Sequence, residues 1–348
     1  MNHSVASRVR RCLLACGVAM LSGAVALPAL AQSTPSAPTV TIGVQSMFGP
    51  WKKAIADKEF EKATGWNIKW RSFDSGGDVM TAMASGDVQI GVAGSSPVAA
   101  AVSRGVKVEV FWILDNINEA EALVVRNGAG IDKPQDLVGK RLAVPFVSTT
   151  HFHTLFALEH YGIAGKVKVI NLQPSDMPAA WSRGDIDAAF VWDPALGKLK
   201  RDGKVLLTSG DLTKLGKATF DALVVSKDFA AKNADGMKAF TRVLEQSTAD
   251  YVKAPKSWTA SSPQVIKVAK QSGATPEEVP GVLALYQFPL AAEQSGKAWL
   301  GGGKDGVAAR ALAATAEFLK EQKKVPAVLP DYSVAINPAF VEAVGVVK

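Results

Sequence analysis

Past its first 31 residues the chain has no cysteine; Cys12 and Cys16 are the two in the sequence. Such a body has no disulfide, no thiolate metal site and no thiol nucleophile, so its core must hold it together. Histidine is scarce as well, four in 348 residues. His151, His153 and His160 fall on one predicted helix, where His151 and His153 point to different faces. His153 and His160 are separated by about 10 Å of helix axis, so they do not converge on a metal. No Lys/Arg tract or basic patch interleaved with aromatics is present. The net charge of +7 includes Arg8, Arg10 and Arg11 in an acid-free first segment, leaving 36 basic against 32 acidic residues in the body. That balance excludes a nucleic-acid binder. No P-loop and no Gly-x-Ser-x-Gly elbow occurs. Gly301-Gly302-Gly303 precedes a helical stretch without a clear strand before it and reads as a loop. With 48% hydrophobic and 20% charged residues, the composition is that of a globular protein, and the length suggests about two domains.

Residues 1–31 read as a cleaved export signal. The basic start is followed by an apolar stretch from Cys12 to Leu30, and the segment closes on Ala29-Leu30-Ala31. Gly17, Ser22, Gly23 and Pro28 make it a poor membrane span. Residues 32–39 read as a loose leader, and no second run is long enough to cross a bilayer.

The body reads as two similar halves. Val40–Val44 and Arg141–Val147 each look like a buried strand. Each half then has a Gly-Asp step leading into another strand, Gly86-Asp87 before Val88–Val92 and Gly184-Asp185 before Ile186–Val191. Each glycine ends an apolar helical stretch, as a C-cap would. Glu121-Ala122-Leu123-Val124-Val125 and Asp221-Ala222-Leu223-Val224-Val225 lie 100 residues apart and read as two crossings between lobes. The expected fold is α/β, two-lobed, with mostly parallel sheets and a hinge of two crossing strands. Lobe one comprises 40–122 and 226–348, lobe two 123–225. Helices are expected over Gly236–Lys253, Pro263–Ser272 and Val307–Gln322.

In such folds ligands bind beyond the C-terminal ends of strands, near helix starts. Ser95 and Ser96 in Gly94-Ser95-Ser96-Pro97, and Ser148, Thr149 and Thr150, occupy such places. Each cluster reads as a helix cap or as an anion cradle; two of them facing one cleft put the readings level. Glu121 and Asp221, at the crossings, favour a cation. Trp192, ending a strand, could cover an ammonium or an alkyl chain, or be a core residue. Gln45 is a further polar contact, and Asp74 reaches the cleft or caps the next helix. Ser148 with His151 suggests a nucleophile and base, yet no third orienting group appears.

The ordered set Phe73-Asp74-Ser75-Gly76, Ser85–Gly91, Gly94–Pro97, Glu121–Val125, Gly139–Phe146, Ser148-Thr149-Thr150-His151, Asn171–Pro174 and Arg183–Asp187 resembles the periplasmic taurine-binding proteins of ABC importers. These stand within the wider nitrate/sulfonate/taurine group. The resemblance implies a periplasmic, non-enzymatic receptor of the type II periplasmic binding protein fold, without cofactor. It would close about a hinge and deliver its solute to ABC permease subunits. It implies that Ser95, Ser96, Ser148, Thr149 and Thr150 hold a sulfonate and Asp221 an amine, with Gln45, Trp192 and Glu121 in support. A monomer is expected. Two stretches depart from the family pattern: Ser46–Trp51 is bulkier, and Asp115–Ala120 more acidic. Both border the expected cleft. The rival readings are a receptor for nitrate or an amine-free alkyl sulfonate, and a periplasmic hydrolase using Ser148 or Ser95.

Overall fold

The computed structural model describes residues 37–344; the expected export signal and most of the leader lie outside the described residues. The strands are β1 (Thr39–Gln45), β2 (Asn67–Phe73), β3 (Ile90–Gly94), β4 (Val108–Asn116), β5 (Glu121–Arg126), β6 (Arg141–Val144), β7 (Lys168–Asn171), β8 (Ala188–Trp192), β9 (Gly203–Thr208) and β10 (Phe220–Ser226). They form two five-stranded sheets, ordered β2-β1-β3-β10-β4 and β7-β6-β8-β5-β9. In the first, β1 runs parallel to β2 and β3, and β10 is antiparallel to β3 and β4. In the second, β6 runs parallel to β7 and β8, and β5 is antiparallel to β8 and β9. Position for position the sheets match, with β5 and β10 in the same place. The α/β, two-lobed architecture read from the sequence is therefore present.

The paired Gly-Asp steps have a shared physical basis. Gly86 and Gly184 adopt φ of 85° and 74°, the left-handed region that favours glycine, at the ends of helices. Three residues on, Gln89 and Asp187 do the same job in the two lobes. Gln89 Oε1 accepts the Thr41 N–H at 2.9 Å and Asp187 Oδ2 accepts the Arg141 N–H at 2.9 Å. Each side chain thereby pins two parallel neighbours together, β1 to β3 in one lobe and β6 to β8 in the other. Arg141 completes the second version with a two-pronged grip on Asp187, its Nε and Nη2 donating at 3.1 and 2.8 Å. That hydrogen-bonded guanidinium pulls the Asp187 carboxyl down to about 2.

Both expected lobe boundaries move: β10, expected in lobe two, is hydrogen-bonded between β3 and β4 of the first sheet, and Glu121 and Ala122, expected in lobe one, pair with β8 in the second. The chain passes between sheets not along the matched strands but just before each of them. The first passage is the 3₁₀ turn Asn118–Ala120, and the second is helix Ser209–Lys214 with residues 215–219. A five-residue apolar strand carries no local mark of which sheet will take it.

Helices cover both sheets. Ala234–Lys253 brings Phe240 against Phe60, ring centroids 4.3 Å apart, and Val307–Glu321 covers Ser95–Ser103. Helix Gly76–Ala84 lies so close to β3 that a Cβ on Gly91 would sit 2.4 Å from Val79 Cγ1 and 2.9 Å from Met83 Sδ. Gly91→Ala should therefore destabilise the protein by about 1–3 kcal/mol through overpacking. The denaturant midpoint measures this, and an unchanged midpoint would mean that Val79 and Met83 yield freely.

Candidate functional site

Between the sheets lies a small cavity lined by Gln45, Met47, Gly76, Gly94, Pro97 and Asp221 from the first lobe and Glu121, Ser148, Thr149 and Trp192 from the second. Six of the nine expected residues thus converge: Gln45, Glu121, Ser148, Thr149, Trp192 and Asp221. Gln45 ends β1 and is fixed by donating its Nε2 to the Val92 carbonyl at 2.9 Å. Trp192 ends β8 and donates its indole N–H to the Ser46 carbonyl at 3.1 Å, one of the contacts that draw the lobes together. Gln173 Nε2 donates to Asp78 Oδ2 at 3.2 Å as another.

Ser95, Ser96 and Thr150 do not line the cavity. Ser95 and Ser96 open a helix whose cap position, Gly94, has no side-chain cap bond, so neither serine is a cap. Ser95 Oγ accepts the Phe220 N–H at 3.4 Å, and Ser96 Oγ is buried without a hydrogen-bond partner. Ser148 is a cap: its Oγ accepts the His151 N–H at 3.0 Å and gives its own hydrogen to the Pro145 carbonyl at 2.6 Å. Thr150 Oγ1 leans on Ser148 Oγ at 2.8 Å. Asp74 does not cap either; Ser75 holds that position and accepts the Asp78 N–H at 3.4 Å.

Three helices begin at the cavity: Gly76–Ala84, Ser95–Ser103 and Thr149–His160. Gly76, Gly94, Ser148 and Thr149 bring their starts to the cavity wall. Helix starts carry unpaired N–H groups and about half a positive charge each. A Cβ on Gly76 would meet Pro97 at 3.0 Å, and one on Gly94 would meet Thr149 Cγ2 at 2.6 Å, so glycine is what permits this approach.

Carboxyl groups stand beside these helix starts: Thr149 Oγ1 donates to Glu121 Oε1, and Asp221 pairs with Gly94 across the sheet. Glu121 and Asp221 are the first acids after the two passages, at or near the start of β5 and β10. Asp221 pairs with Asp115 of β4 in register, and Asp115 is buried with neither oxygen bonded. None of the ion pairs among the described residues involves these three. Loss of water favours their uncharged forms. Burial pushes Asp221 up to about 7. Burial and the charge of Asp221 push Glu121 up to about 8, against its contacts with the Thr149 and Ser209 hydroxyls. Burial, Asp221 and Glu121 raise Asp115 well above the carboxylate range. Asp115 was read only as part of an acidic stretch; its place beside Asp221 depends on strand register. Met47 likewise belongs to the bulky stretch and supplies apolar wall.

The hydrolase reading fails on geometry. His151 Nδ1 accepts the Val147 N–H at 3.2 Å, and Ser148 has already given its hydrogen to Pro145. Burial and the charge of Lys324 hold His151 down to about 4. Nothing here removes a proton from Ser148.

The tight approach of Gly94 to Thr149 yields a test. Gly94→Ala should hold the lobes apart, seen as a larger radius of gyration in small-angle scattering; an unchanged scattering curve would rule out this contact as a limit on closure.

Comparison with known proteins agrees with this arrangement. A family profile described as NMT1/THI5 like matches residues 56–257. The chain is 44% identical over 304 residues to the taurine-binding periplasmic protein of Escherichia coli (strain K12), covering 87% of this chain and 92% of that one. Among solved structures, the alkanesulfonate-binding protein SsuA from Xanthomonas axonopodis pv. citri, bound to MOPS, superposes with a TM-score of 0.69 at 23% identity, over 84% of this chain and 96% of that one. The aliphatic sulphonate binding protein SsuA from Escherichia coli gives 0.67 at 20% identity, over 88% and 100%. These structures share the fold, two α/β lobes around a cleft, and the chain belongs to the NMT1/THI5-like family, in the branch that includes the taurine-binding periplasmic protein of Escherichia coli.

Proposed function

We propose that the protein is a non-enzymatic periplasmic receptor that captures taurine, or a close aliphatic aminosulfonate, by closing its two lobes and hands it to the membrane subunits of an ABC importer. It would act as an exported monomer. The observation that carries this reading is one small cavity whose wall holds both three helix starts and carboxyl groups without a paired cation. A sulfonate is a permanent anion and needs donors without needing a carboxylate; helix N–H groups meet that need. The hydroxyl hydrogens of Ser148 and Thr149 go to Pro145 and Glu121. Backbone N–H groups of the helix at Thr149–His160 would therefore do more of the holding than those hydroxyls. An ammonium two carbons away would meet Asp221, with Glu121 beside it. Trp192 and Met47 would flank the ethylene link, and Gln45 the rim. Ser95, Ser96 and Thr150 would support this wall rather than touch the solute.

Each lobe supplies part of the contact surface, so the solute stabilises the closed form over the open one. Selectivity follows from the carboxyl groups. An alkyl sulfonate or nitrate brings no cation, leaving Asp221 unpaired in a dry site.

Calorimetry with taurine, ethanesulfonate and nitrate tests the reading. Asp221→Asn should weaken taurine by about 1.5–3 kcal/mol, the range for a hydrogen bond to a charged group, or roughly ten- to hundredfold in Kd. It should narrow the gap to ethanesulfonate. Equal binding of ethanesulfonate and taurine by the parent would remove the ammonium contact from the account.

The acid pair also predicts a pH response. Folded Asp221 keeps its proton up to about 7, whereas the unfolded chain releases it near the ordinary 3.8. The folded state therefore binds more protons in that window, and this group's contribution to stability falls as pH rises from about 4 to 7. Asp221→Asn has no such loss. Its melting temperature relative to the parent, both without ligand, should rise between pH 5 and pH 7.5. His151 and His153, held to about 4, and Lys52, held to about 7, act on both proteins alike. A constant difference would show that Asp221 ionises freely. Taurine affinity of the parent should grow over the same interval, as the carboxylate forms.

A further inference from the structure

We infer that His153, which reaches no wall of the cavity, fixes Glu121 as an uncharged carboxylic acid through Ser209, so that Asp221 is the cleft's carboxylate. The inference concerns the proton on Glu121 and stands whatever the solute.

The reasoning is a count of hydrogens along one buried chain of contacts. His153 Nε2 lies 2.7 Å from the Lys217 carbonyl, which can only accept, so Nε2 bears a hydrogen. His153 Nδ1 lies 2.8 Å from Ser209 Oγ. In a neutral ring that carries its hydrogen on Nε2, Nδ1 is bare, and Ser209 must donate to it. Ser209 has a single hydroxyl hydrogen. Its oxygen also lies 3.0 Å from Glu121 Oε2. With its hydrogen committed to His153, Ser209 can only accept there, and Glu121 Oε2 must bring the proton. The other oxygen, Oε1, accepts from Thr149 Oγ1. A Glu121 carboxylate beside a neutral His153 would leave one of the two contacts with lone pair facing lone pair among buried side chains.

An ionised Glu121 could be satisfied only by an imidazolium, with the proton moved from Oε2 to Ser209 and that of Ser209 moved to Nδ1. The surroundings oppose it. His153 is fully buried among Phe152, Phe190 and the wall of β8, and burial holds its ring down to about 4. The nearby Lys217 ammonium lies over the Phe156 and Phe318 rings at 5.1 and 5.7 Å. On the Glu121 side stand Asp221 from β10, Asp115 from β4 and the Tyr286 hydroxyl, whose own ionisation these acids suppress. The Glu119 carboxylate lies against Gly210, next to Ser209 in the same helix. His151, on the helix that carries His153, is neutral as well. Every negative group near Glu121 favours the protonated form, and the hydrogen-bond order gives that proton a place.

His153 is thus a positioning residue: it acts on the cleft through the direction of one hydroxyl. Two readouts test this on ligand-free protein. In a long-range proton–nitrogen correlation spectrum of ¹⁵N-labelled parent protein, His153, assigned by its loss in His153→Asn, should show a hydrogen on Nε2 and a bare Nδ1 at pH 7. A hydrogen on Nδ1 would overturn the inference. In infrared difference spectra at pH 7, the parent should show a carboxylic-acid carbonyl band that vanishes in Glu121→Gln. The same band should diminish in folded His153→Leu, where Ser209 is free to turn its hydrogen toward Glu121. No band lost in Glu121→Gln, or a band untouched in His153→Leu, would refute the assignment; the tautomer measured in the parent remains decisive if His153→Leu does not fold.

Discussion

Carboxyl groups brought between two lobes without a cation paired to them are the constraint from which the site's other properties follow. Asp115, Glu121 and Asp221 sit where water is scarce, and no lysine or arginine among the described residues pairs with them. A protein usually avoids such a cluster, because unpaired buried charge is costly. Here it is retained in a small cavity whose wall is also formed by helix starts. Donors and carboxyl groups in one cleft are complementary to a molecule carrying both signs of charge. Preorganisation of this kind needs no flexible cation to reorient on binding.

The glycines and the duplicated topology build that cleft. Gly76 and Gly94 let helix starts and strand ends approach one another closely. The antiparallel strands β5 and β10 occupy equal places in their sheets and begin with an acid or reach one at the second residue. One duplicated pattern therefore delivers a carboxyl group to the cleft from each lobe. Gln89 and Asp187 hold equivalent positions with different chemistry, a neutral amide in one lobe and an ion pair in the other.

Much of this was legible in the residues. The strands were marked by short apolar runs, the helix ends by Gly86 and Gly184, and the cleft acids by the match between Glu121–Val125 and Asp221–Val225. What was not legible is non-local. The sheet that takes β10 is set by hydrogen bonds to residues more than 100 positions earlier. Ser95 and Ser96 looked like a hydroxyl cradle, because sequence places them at a helix start without saying that they turn inward. Ser148 proved to be a cap and a wall residue at once, so the two readings of that cluster were never exclusive. His153 and Ser209, 56 residues apart, carry no motif; only the fold sets them beside Glu121.

The position of β10 also has a consequence for how the chain acquires its shape. This strand fills the gap between β3 and β4, yet it emerges after the whole of the second sheet. Until residue 226 is available, β4 has no neighbour to pair with, and half of the first sheet cannot knit. Non-local pairing of this kind is slow. The strands of the second sheet are all complete by residue 208, so completion of the first lobe waits on a segment that follows the second.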